Sequence, residues 1–120
     1  MRISFMLAAA IAAIFAGHAE AHARLLHASP KVGATVTWSP TELRLWFSET
    51  IQPSLSRITL VSGDGRPVRT GRLALDPKDK RVVVLPLLSA LATGTYRVSW
   101  ETTSEDTHNT DGDFVFKVGP

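Results

Sequence analysis

The sequence contains no cysteine, and its only methionines are Met1 and Met6. The absence of cysteine excludes disulfides, thiolate metal sites and thiol redox chemistry, so stability rests on packing and any bound metal needs nitrogen and oxygen donors. No apolar run beyond residue 21 approaches the ~20 residues of a membrane span. There is no G-x-S-x-G, and no serine stands at a matching motif beside Asp106 and His108, which argues against a hydrolase. Charge of one sign is scarce too: the formal net charge is +2, too weak to point to nucleic acid. The basic residues Arg66, Arg69, Arg72, Lys78, Lys80 and Arg81, interrupted by Asp76 and Asp79, read as a solvated hairpin surface. Internal repeats are lacking, as is any sustained 3.6-residue apolar period after the first residues.

What is present begins with an export signal. Arg2 supplies a positive start, Ile3 to Ala16 is almost wholly apolar and too short for a membrane span, and Ala19-Glu20-Ala21 is an A-x-A cleavage signal. Residues 1–21 are therefore expected to be a cleaved secretory signal peptide that also removes His18. Residues 22–120 then form one exported domain of roughly 100 residues, enough for one core. Cleavage after Ala21 leaves His22 as the amino terminus, where its α-amine and imidazole together can close a chelate ring on a metal.

The remainder is a succession of short alternating segments separated by Gly, Pro, Asp and Ser. Leu43, Leu45 and Phe47 share one strand face, and Ile58 and Leu60 share another. Asp64-Gly65 reads as a hairpin turn, Leu73 and Leu75 as the core face of a strand, and Asp76-Pro77-Lys78-Asp79 as a second turn. Val82 to Leu85 is a continuously apolar strand, and Leu87 to Leu91 is expected to form a helical turn closed by Gly94. Tyr96, Val98 and Trp100 alternate along one late strand, and Phe114, Phe116 and Val118 along the last. The polar run from Glu101 to Asp113 is read as the connection that carries chemistry. The pattern predicts an all-β, Greek-key β-sandwich of about seven or eight strands.

Within that connection, Asp106-Thr107-His108 places a carboxylate and an imidazole two residues apart, on one side of an extended segment. With the amine and imidazole of His22 they offer four nitrogen and oxygen donors. Such a set suits tetragonal Cu²⁺, with zinc as the chemical competitor. Glu49 continues the phase of Leu43, Leu45 and Phe47, so its charge falls on the core side at a strand end and needs compensation. A metal, a metal-bound histidine, a backbone turn or an arginine would each provide it. A D-x-H triplet taken alone is better explained by an ordinary surface loop, and it is the conjunction with His22 in a cysteine-free exported domain that points to a ligand set. His27, near the first strand, is assigned a structural or surface role.

These residues resemble a known family. The start His22-Ala23-Arg24-Leu25 through Ala28-Ser29-Pro30 and Gly33, the strand Leu45-Trp46-Phe47-Ser48-Glu49, the segment Gly94-Thr95-Tyr96-Arg97-Val98-Ser99-Trp100, and Ser104-Glu105-Asp106-Thr107-His108 followed by Gly112, Phe114, Phe116 and Val118 are similar to the CopC copper-resistance family. The resemblance spans essentially all of residues 22–120. It implies an immunoglobulin-like sandwich in the periplasm that binds Cu²⁺ through His22, Asp106 and His108, with Glu49 as a ligand or a group beside the ligands. Some family members carry a methionine-rich loop for cuprous copper. Here the corresponding stretch, Val61-Ser62-Gly63-Asp64-Gly65-Arg66-Pro67-Val68, has no soft donor, so the chain resembles single-site, cupric-only members.

The resulting expectation is a non-catalytic copper protein for sequestration, carriage or resistance. Its expected partners are the copper ion and a membrane copper transporter of the type that accompanies the family. No nucleic-acid partner is expected, and the protein is expected to be a monomer. Two alternatives belong to other classes. One is a copper-dependent oxidative enzyme with a histidine brace, disfavoured because a carboxylate in the copper plane occupies the position an oxygen species needs. The other is an immunoglobulin-like module binding something other than metal, for which Trp38, Trp46 and Trp100 offer stacking surfaces; the phase of Trp100 points into the core, and Trp46 lies opposite Phe47.

Overall fold

The computed structural model describes residues 23–120, so the proposed signal peptide and His22 lie outside the described residues. The elements in chain order are β1 (Leu25–Ser29), β2 (Thr35–Val36), β3 (Glu42–Phe47), a 3₁₀ turn (Pro53–Leu55), β4 (Arg57–Ser62), β5 (Ala74–Asp76), β6 (Asp79–Pro86), β7 (Gly94–Thr103) and β8 (Asn109–Val118). They form two four-stranded sheets, ordered β1-β3-β6-β5 and β2-β8-β7-β4. All pairs are antiparallel except β2 with β8. The predicted Greek-key sandwich is the observed architecture.

Alternation builds the core. Leu43, Leu45 and Phe47 of β3 are buried while Glu42, Arg44 and Trp46 face outward, and Tyr96, Val98 and Trp100 of β7 meet Phe114, Phe116 and Val118 of β8 on the inner face of the other sheet. Phe47 and Trp100 bridge the sheets edge to face, with ring centroids 5.3 Å apart. Gly112 pairs with Trp100 across the β7–β8 ladder, and a Cβ there would lie 2.4 Å from the indole Cζ2. Glycine is thus required for the ring to lie over β8. On the outer face, His27 pairs with Trp46 and stacks on it at 4.2 Å, consistent with a structural or surface role.

Two local expectations are corrected. Leu87 to Leu91 is not a helical turn, because its backbone groups bond to neighbouring segments: Leu87 N–H to the Thr41 carbonyl at 2.9 Å and Leu91 N–H to Ser39 Oγ at 2.7 Å. The Tyr96 hydroxyl, donating to the Ala92 carbonyl at 2.6 Å, fastens the entry into β7. The run from Glu101 to Asp113 is also mostly strand rather than connection. The β7–β8 ladder continues through Glu101↔Asp111 and Thr102↔Thr110 to Thr103↔Asn109, leaving only Ser104 to His108 as the turn. Strand pairing satisfies backbone groups whatever the side chains are, so a polar edge extends the ladder.

Candidate functional site

The five-residue turn from Ser104 to His108 closes the β7–β8 hairpin. Ser104 N–H donates to the His108 carbonyl and Thr107 N–H to the Ser104 carbonyl, both at 2.9 Å. Thr107 has φ +70°, a left-handed conformation costly for a β-branched residue. Asp106 and His108 therefore meet through a folded turn, not through the extended segment expected from the sequence. The outcome is the same: His108 Nδ1 lies 3.1 Å from Asp106 Oδ2, and both side chains are about half exposed. Ser104, 1% exposed, donates its hydroxyl to Asp106 Oδ1. That hydroxyl, aided by His108, holds the Asp106 carboxyl below the usual carboxylate range against the opposing effect of desolvation.

Glu49 lies just beyond β3, and its Oε2 is buried without a hydrogen-bond partner among the described residues. Glu49, Thr50, Arg81, Glu105 and Asp106 line one cleft of about 490 Å³. The segment after Glu49 is tied to the turn by Glu105 N–H to the Thr50 carbonyl (2.9 Å) and Gln52 Nε2 to the Ser104 carbonyl (2.8 Å). Glu49 and Asp106 thereby line the same cleft, whereas the strand phase of Glu49 implied only a core-side carboxyl at a strand end. Arg81 also lines it, while pairing with Asp79 at 3.2 Å. Among the described residues, no group of three or more His, Asp or Glu side chains is arranged to hold a metal by itself.

The described chain begins at this same end of the sandwich. Ala23 is 1% exposed, and its carbonyl accepts the Thr110 hydroxyl at 2.9 Å, two residues beyond His108. Arg24 N–H donates to Ser48 Oγ at 2.8 Å, next to Glu49. Sequence reasoning gave Ser104, Thr110 and Ser48 no role at the site and read Arg81 only as part of a solvated basic surface. Ser104 was detectable as a hydroxyl two residues before an aspartate, a common local turn. The others depend on strand pairing and had no local signal.

Residues 25–119 match the CopC domain. The chain belongs to the CopC family. Copper resistance protein C of Xanthomonas campestris pv. juglandis is 34% identical over 118 residues, covering 94% of this chain and 90% of that protein. The crystal structure of CopC from Methylosinus trichosporium OB3b superimposes with a TM-score of 0.76 at 30% identity, covering 82% of this chain and 95% of that one. PcoC, a methionine-rich copper resistance protein from Escherichia coli, gives 0.74 at 30% identity, over 82% of this chain and 99% of that one. This CopC-family chain differs from that methionine-rich relative in having no methionine after Met6.

Proposed function

We propose that this protein is a periplasmic copper-binding protein that holds one Cu²⁺ through the amine and imidazole of His22 together with Asp106 and His108, with Glu49 beside the site. The observation that carries the reading is the Asp106–His108 pair. Two donors each about 2.0 Å from a metal and at right angles to one another stand about 2.8 Å apart. The observed 3.1 Å lies close to that edge. The two donors are therefore already near the spacing that a shared metal requires, and a rotation of the half-exposed imidazole would bring its lone pair to the metal. His22 is one residue before the buried Ala23, whose carbonyl is held by Thr110 of β8, two residues beyond His108. The unpartnered oxygen of Glu49 faces compensation either as a ligand or by hydrogen bonding to one.

The role is carriage, storage or buffering without catalysis, since Asp106 fills the position beside His108 that an oxygen species would require. The protein acts as a monomer and exchanges copper with a membrane transporter of the type accompanying the family. The decisive experiment combines intact mass with electron paramagnetic resonance on exported protein given one equivalent of Cu²⁺. A mass beginning at His22 and one tetragonal signal with nitrogen hyperfine structure are expected. Tight binding by protein retaining residues before His22, with the same spectrum, would overturn the assignment.

A further inference from the structure

The Ala23–Arg24 peptide group is held at both of its polar atoms by side-chain hydroxyls from opposite sheets. Its carbonyl accepts from Thr110 Oγ1 of β8 at 2.9 Å, and its N–H donates to Ser48 Oγ, just after β3, at 2.8 Å. Ser48 N–H returns a bond to the Arg24 carbonyl at 2.9 Å. A hydroxyl has one proton to give. Thr110 gives its proton to Ala23, so the 3.1 Å contact between Thr110 and Thr102 has Thr102 as donor. Thr102 is 2% exposed, which places this relay in the interior. Once a peptide plane is fixed, only the two backbone torsions of Ala23 separate it from the preceding peptide. The buried Ala23 side chain restricts those torsions further.

We propose that Ser48 and Thr110 are positioning residues for the amino-terminal copper ligand. Their paired hydroxyls orient the Ala23–Arg24 peptide so that the residue before it is delivered to Asp106 and His108. The proposal rests on ligation by the His22 amine. Fixing the backbone before the metal arrives removes part of the ordering cost from the binding step. Ser48 precedes Glu49, and Thr110 follows His108 by two residues, so the segments that carry the other candidate ligands also set the entry of the first.

The test is a cycle between these hydroxyls and the amine. Thr110→Val and Ser48→Ala are made both in processed protein and in protein extended by one glycine ahead of His22, and Cu²⁺ affinity is measured by chelator competition. Each substitution is expected to weaken the processed form about three- to tenfold, the range of one lost hydrogen bond, and to leave the extended form unchanged. Thr110→Ser, which keeps the hydroxyl, is expected to restore affinity. Thermal unfolding of each apo variant checks the fold, and Ser48→Ala decides the matter if Thr110→Val is unfolded. Equal weakening of both forms would assign the hydroxyls to the fold or to His108, and no weakening of the processed form would remove their role; either overturns the proposal. Equal affinity of the unsubstituted processed and extended proteins would instead overturn amine ligation, and the proposal with it.

Discussion

Two of the aspartate-bearing turns of this sandwich, β5–β6 and β7–β8, treat their carboxylates differently. In the β5–β6 turn, Asp76 accepts from the Arg44 guanidinium at 2.6 Å and from Lys78 N–H at 2.7 Å, while Asp79 pairs with Arg81. In the β7–β8 turn, Asp106 is held by the Ser104 hydroxyl and the His108 imidazole. All three carboxyls sit below their ordinary pKa: Asp76 chiefly through Arg44, Asp79 chiefly through Arg81 and Asp106 chiefly through Ser104. A guanidinium keeps its proton at any physiological pH, so the first turn is saturated by permanent cations. An imidazole can offer a nitrogen lone pair to a metal, which a guanidinium cannot, leaving the second turn able to bind one. Two similar turns thus divide into a structural one and a responsive one according to the partner of the carboxylate.

The sharpest way to break this comparison is pH. Copper must displace protons from its nitrogen ligands, since an amine or an imidazole binds a metal only in its unprotonated form. Protons therefore compete more strongly as pH falls. Apparent Cu²⁺ affinity is expected to drop at least a thousandfold, as an order of magnitude, between pH 8 and pH 5. The ion pairs of Arg44 and Arg81 do not titrate in that interval, so apo thermal stability is expected to change far less. Equilibrium dialysis against a competing chelator measures the first quantity and calorimetry the second. A flat affinity profile would rule out the amine and imidazole ligands.

Next in size are substitutions in the two turns. Asp106→Ala and His108→Ala each remove a proposed ligand, and since loss of a supporting group alone costs about 10- to 100-fold in metal affinity, a loss beyond about 100-fold is expected. Both side chains are half exposed, so the apo variants should keep a cooperative thermal transition. Asp79→Ala in the other turn should leave copper affinity within about twofold, because its partner is an exposed arginine. Full affinity in both Asp106 and His108 variants would show that the responsive turn has been misidentified.

How much of this was legible in the sequence follows the range of the interactions involved. The inward phases of Leu43, Leu45 and Phe47, of Tyr96, Val98 and Trp100, and of Phe114, Phe116 and Val118 are local patterns, and each is a core face in the structure. Leu87 to Leu91 was misread because its hydrogen-bond partners, Thr41 and Ser39, lie far away in the chain. The polar residues from Glu101 to Asp113 hid a ladder fixed by backbone register. Asp106 and His108 were legible as neighbours, but the folded turn at Thr107 was not. Arg81 reaches the cleft of Glu49 and Asp106 from β6, a juxtaposition that no motif records.

Glu49 probes the edge of the responsive region. Glu49→Gln keeps the shape and removes the charge. Because Oε2 has no hydrogen-bond partner among the described residues, little apo stability should be lost. Copper affinity is expected to fall by about tenfold or less, the lower end of the range for supporting groups. A loss matching that of His108→Ala would make Glu49 a full ligand and extend the responsive region across the cleft to the end of β3.

The smallest effect belongs to the saturated turn and has the opposite pH range. The pKa of Asp76 is lowered in the folded protein, so its contribution to stability is fully present above the unfolded value of about 3.9 and is lost as pH falls through the lower folded value. Asp76→Asn removes that dependence. The variant and the parent should therefore differ in apo thermal midpoint at pH 7 by a few degrees at most and converge as pH drops below about 4. Copper affinity at pH 7 should be the same in both. A difference in midpoint that grows on acidification, or a change in copper affinity, would mean that Arg44 is not the partner that matters for Asp76 and that the two turns are coupled through β6.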